Sequence, residues 1–132
     1  MAVGDDPPDT SPVLELDSEV PDIAEIRRWA RSALPRLHED DLLDVQLVVT
    51  ELVSNVYDHG LFPARLRLHR SDDVTVVVED ASIAPPVLQP SSPHSARGRG
   101  LILVDQLCER WGVTPHAAGK AVWAVVPCLG TS

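Results

Sequence analysis

DLLDVQLVVTELVSNVYDHG, residues 41–60, is the stretch on which the fold turns. Leu42, Val45, Val49, Leu52, Val53 and Val56 recur with the 3.6-residue period of an amphipathic helix. The spacing predicts a helix from about Asp40 to Tyr57, with Gly60 as its C-terminal stop. Away from the apolar stripe, Glu51 and Asn55 stand one turn apart and share a face, and His59 follows one turn later. A carboxylate and a carboxamide on an otherwise apolar helix need a polar setting. Taken alone, the pair fits a solvated face as well as a Mg²⁺ site, since Mg²⁺ takes one or two protein oxygens and completes its shell with phosphate and water.

Working outward, residues 1–12 carry three prolines and three aspartates and read as a disordered lead-in. Val13, Leu14 and Leu16 suit a short strand. Ile23, Ile26, Ala30 and Ala33 recur at helical spacing, with Pro21 near the helix start and Pro35 closing it. Downstream, ARLRLHR (64–70) alternates apolar and polar residues, and DVTVVVED (73–80) is rich in β-branched residues; Ser71–Asp73 between them fits a hairpin. Residues 81–99 hold four prolines and four serines, the mark of a long lid-like loop. A helix is expected from about Gly100 to Arg110, with Leu101, Val104 and Cys108 inward. WGVT (111–114) and KAVWAVVP (120–127) complete a terminal hairpin around Pro115–Gly119.

Composition narrows the class. A chain of 132 residues with 44% hydrophobic content supports one globular domain, here 13–128, with a mainly aliphatic core. A formal net charge of −9 argues against a nucleic-acid partner, which needs a cationic footprint. The longest apolar runs fall far short of the roughly 20 residues of a membrane span. The acidic N-terminus lacks the form of a secretory signal. Two cysteines, Cys108 and Cys128, make no disulfide framework or zinc spacing, and Cys108 reads as core packing. The expected location is the cytoplasm.

Two further places carry chemistry. Asp80 ends a strand, where its carboxylate can accept from a ligand amine or cap the turn at Ala81–Ser82. Arg97-Gly98-Arg99-Gly100 opens a helix, so its backbone N–H groups can meet phosphate oxygens, although a flexible basic tether accounts for the tetrapeptide equally well. No GxxxxGK[ST] is present, which excludes P-loop chemistry.

The order ELVSNVYDHG (51–60), VVVEDAS (76–82), long loop, GRGLILVDQL (98–107), GKAVWAVV (119–126) resembles the ATPase domain of the gyrase, heat-shock chaperone, histidine-kinase and MutL superfamily (GHKL). Within it the chain is most similar to the anti-sigma-factor serine/threonine kinases, in their short actinobacterial form, over residues 13–127. The resemblance implies an α/β Bergerat-type fold, a two-layer sandwich of a mixed, mainly antiparallel sheet with helices on one face. It implies ATP and Mg²⁺ as ligands, with Asn55 on the metal, Glu51 as general base, Asp80 on the adenine amine, and Arg97, Gly98, Arg99 and Gly100 at the phosphates. His59 matches the end of the same motif in a positional role. The implied partners are a sigma factor and an anti-sigma antagonist, the latter the phosphorylated substrate, and relatives commonly pair as homodimers. Two departures touch the adenine end: the turn after Asp80 reads ASIAPP without the usual glycine, and Ala121 stands where a threonine is common. A lost hydroxyl contact costs about 1 kcal/mol. Glu51 and Asn55 thus favour an enzyme, while ASIAPP and Ala121 favour a partner-binding regulatory module of the same fold.

Overall fold

The computed structural model describes residues 11–16, 19, 22–83 and 103–129. The chain runs β1 (Val13–Leu16), α1 (Ile23–Ala33), α2 (Glu39–His59), β2 (Ala64–Arg70), β3 (Val74–Asp80), a helical stretch over 103–107, β4 (Arg110–His116) and β5 (Gly119–Val126). The five strands form one sheet in the order β1-β2-β3-β5-β4. Every pairing among the described strands is antiparallel, so the expected parallel component is absent there. The last hairpin turns at 117–118, tighter than the sequence implied, and Pro115 lies within β4. Proline lacks an N–H for the ladder and is tolerated there because β4 is an edge strand.

Helix α2 organises the fold. Its first turn carries Glu39, Asp40 and Asp41, which complement the helix dipole, and His38 Nδ1 accepts from the Asp40 N–H at 3.2 Å as the cap. Asp22 caps α1 in the same way, accepting from the Glu25 N–H at 3.1 Å. Val45, Val49, Val53 and Val56 of α2 share one core with the inward rows Leu66 and Leu68 of β2, Val74, Val76 and Val78 of β3, and Val122, Ala124 and Val126 of β5, the helix lying over β3 and β5. Burial alternates along β2 and β3 with the two-residue period of a pleated strand, so one face of the sheet is roofed by helices.

The termini of α2 are tied to neighbouring segments. Arg31 forks onto Glu39 at 3.1 and 2.8 Å, raising the guanidinium pKa and lowering that of the carboxylate through the shared hydrogen bonds. The pair is exposed and adds little to stability. Buried Asp41 accepts from the Leu129 N–H at 2.8 Å, fastening the chain after β5 to the start of α2. Ser11 and Pro12 lie along β2, the Pro12 carbonyl accepting from the Leu68 N–H at 3.1 Å; residues 1–10 of the expected lead-in fall outside the described residues. The expected 100–110 helix is seen over 103–107, with Cys108 already past its end and 100–102 outside the described residues.

Two outcomes follow from this packing. Leu66→Ala removes a fully buried side chain from the core and should lower unfolding free energy by about 3 kcal/mol, read by urea denaturation. Burial, with Asp105 and Asp44 nearby, pushes the Cys108 thiol from 9.0 up to about 11. The folded state therefore holds a proton that the unfolded chain releases, so stability is full below about pH 9 and declines as pH rises toward 11. Thermal melts across that range should show the decline, and Cys108→Ala should flatten it.

Candidate nucleotide site

The candidate residues that the structure describes lie on the C-terminal half of α2 and at the end of β3. Glu51 and Asn55 are half-buried on α2, between the buried Leu52, Val53 and Val56 and the exposed Asp58 and His59. At about 1.5 Å rise per residue, Asn55 stands about 7.5 Å and Glu51 about 13.5 Å along the axis from Gly60. Gly60 ends the helix, its N–H donating to the Val56 carbonyl at 2.7 Å. A Cβ on Gly60 would lie 3.1 Å from both Asp80 Cγ and Oδ2. Glycine is thus what lets α2 close onto the Asp80 carboxylate. Gly119 is required from the other side: its φ is +149°, and a Cβ there would collide with the Asp80 carbonyl oxygen. The Ala81 N–H donates to the Leu61 carbonyl at 2.8 Å, joining the end of β3 to the segment after α2.

Asp80 is itself engaged. Its Oδ1 accepts from the Ser82 N–H at 2.7 Å, so the turn-capping role open to it in the sequence is realised. Lys120 Nζ lies 3.1 Å from Oδ1 and 3.0 Å from Oδ2, with side-chain exposures of 6% for Lys120 and 2% for Asp80. The two residues are direct cross-strand partners in the β3–β5 register. Ala121 pairs with Glu79 and alternates to the opposite face. The side chain beside Asp80 is therefore Lys120, and the missing threonine hydroxyl at Ala121 is a loss on the other face of the sheet.

Lys120 is the neighbour of Asp80 that reading by motif overlooked, although a signal was present. It is the chain's single lysine and shares a strand face with the inward Val122, Ala124 and Val126. A lysine on an apolar strand face calls for a buried counter-charge. On the face opposite α2, Glu79 lies 3.8 Å from Arg67 and 3.9 Å from His116, lining with Arg65 a cleft of ≈ 210 Å³ at the same end of the sheet. Arg97, Gly98, Arg99 and Gly100, and most of the 81–99 lid, lie outside the described residues.

The donor set fits Mg²⁺ and a nucleotide. Glu51 and Asn55 offer hard oxygens, which magnesium prefers and of which it needs only one or two. Among the described residues no cluster of three or more His, Cys, Asp or Glu is placed to hold a metal. Nor is any described helix long and apolar enough to cross a membrane.

The family model described as histidine kinase-like ATPase domain matches residues 16–126. Among solved structures, the chain is similar to the histidine kinase domain of the blue-light activated histidine kinase from Erythrobacter litoralis EL346. The TM-score is 0.51 at 18% identity, covering 80% of this chain and 59% of that one, and the likeness speaks for the fold alone. No curated protein matches the chain.

Removing one member of a buried ion pair strands the other charge. Lys120→Met should therefore lower stability by about 3–5 kcal/mol in urea, whereas Asp80→Leu combined with Lys120→Met should recover most of that loss.

Proposed function

Because the chain belongs to the histidine kinase-like ATPase domain family, we propose that it is an ATP-dependent serine/threonine kinase that phosphorylates an anti-sigma antagonist protein and sequesters a sigma factor. The observation that supports this reading most is the helix end: Glu51 and Asn55 lead along α2 to a glycine closed onto the Asp80 carboxylate. In this reading Asp80 is the base-recognising group at one end and Glu51 and Asn55 are the oxygen donors for proton transfer and metal at the other.

In this reading Asn55 holds Mg²⁺ through its carboxamide oxygen, and Asp80 accepts from the adenine amine. Arg97, Gly98, Arg99 and Gly100 complete the phosphate end. The metal, when bound, neutralises phosphate charge. Glu51 takes the proton from the substrate Ser or Thr hydroxyl as its oxygen bonds to the γ-phosphorus and the β–γ bridging bond breaks, releasing ADP. Positioning and electrostatics carry most of such a transfer. The reading places the protein in the cytoplasm with its partners, and a homodimer is part of it.

One observation favours a second reading, a regulatory module that binds its partner without using ATP: the Asp80 carboxylate is already held by Lys120. Titration with labelled ATP and Mg²⁺ separates the two. The kinase reading expects saturation below millimolar nucleotide, and its absence would sink that reading. Asn55→Ala should abolish the Mg²⁺-dependent part of binding. Glu51→Ala should bind ATP normally and phosphorylate the co-purified antagonist at least 100-fold more slowly; an unchanged rate removes Glu51 as base.

A further inference from the structure

The Asp80–Lys120 pair is more than a structural ion pair needs to be. Both side chains face the helix side of the sheet and are almost wholly buried. Desolvating two charges is costly, and a well-packed apolar pair in their place is often neutral or stabilising. Stability alone therefore gives no reason for the pair.

Its hydrogen-bonding inventory does. A carboxylate offers about four lone-pair sites. Asp80 Oδ1 takes the Ser82 N–H at 2.7 Å and Lys120 Nζ at 3.1 Å, whereas Oδ2 takes Lys120 at 3.0 Å and abuts Gly60, which puts no side chain over it. The ammonium has three N–H donors, and two suffice for the carboxylate. An acceptor on Oδ2 and a donor on Nζ are thus left side by side, 3.0 Å apart. That edge is complementary to a donor and an acceptor on neighbouring atoms of one ring edge, the arrangement of the adenine 6-amine and N1. A lone carboxylate would read only the amine.

We infer that Lys120 is a base-reading residue: Nζ donates to adenine N1 while Asp80 Oδ2 accepts from the 6-amine. The inference rests on the ATP-binding reading above. It also accounts for selectivity, since guanine reverses the edge and would turn its carbonyl oxygen toward the carboxylate.

The test is calorimetric titration of the full chain with Mg-ATP, Mg-GTP and Mg-1-deaza-ATP, in which C–H replaces N1 and the amine is kept. The wild type should bind 1-deaza-ATP and GTP roughly 10- to 100-fold more weakly than ATP, as expected for a hydrogen bond to a charged donor. In Lys120→Met, ATP affinity should fall by a similar factor and the ATP/1-deaza-ATP ratio should approach one. Lys120→Gln keeps an N–H donor and should retain a several-fold preference, which provides the readout if Lys120→Met does not fold. Equal wild-type affinity for ATP and 1-deaza-ATP overturns the role of Lys120 and leaves the ATP site standing. Tighter ATP binding by either variant than by the wild type also overturns it, making the ammonium a plug. No saturable binding of any nucleotide by the wild type defeats the ATP reading itself, and the inference with it.

Discussion

The packing of one helix on one sheet face is the constraint from which the rest follows. Helix α2 buries Val45, Val49, Val53 and Val56 in the common core, lying over β3 and β5. Because the core interdigitates at crystal-like density, the rotation of α2 is set by those contacts and not by its polar residues. Glu51 and Asn55 are half-buried because the valines beside them are fully buried. The same packing brings the end of α2 to the end of β3, where Gly60 meets Asp80. The candidate site is thus an edge of the core, and its geometry is carried by aliphatic residues with no chemistry of their own.

Elements with strong local periodicity were legible in the sequence. The α2 stripe, the alternation in 64–70 and the β-branched run before Asp80 each bury a face whose spacing states its structure. Pairing was less legible, because strand order depends on long-range contacts. The sequence neighbour β4 lies at the edge while β5 inserts beside β3, and nothing local to either strand says so. Cys108 shows a similar limit, since inward spacing matched a longer helix than the 103–107 stretch observed, yet the side chain still packs against the core.

At the site, motif order revealed the residues but not their environment. Asp80 was legible as a strand-end carboxylate with two open roles, and the structure realises one through the Ser82 N–H. The departure at Ala121 lies on the strand beside Asp80, one residue from the partner Lys120. A one-residue difference in a strand moves a side chain across the sheet, and the register pairs Asp80 with Lys120, leaving Ala121 to Glu79. Register is a tertiary quantity, and for that reason the ion pair could not be read from spacing alone.

The pair also changes what the base end of the site offers a ligand. A solitary buried carboxylate would confront a neutral purine with a full negative charge and would carry a large desolvation penalty of its own. Paired with Lys120, the same carboxylate belongs to a neutral unit whose desolvation has been met during folding. A neutral base entering such a pocket meets a fixed donor–acceptor dipole, with little solvent left to strip from either group. Low local dielectric strengthens hydrogen bonds made to that dipole and penalises an edge of the wrong polarity. Occlusion and recognition therefore differ in whether Oδ2 and Nζ, 3.0 Å apart, meet the base together.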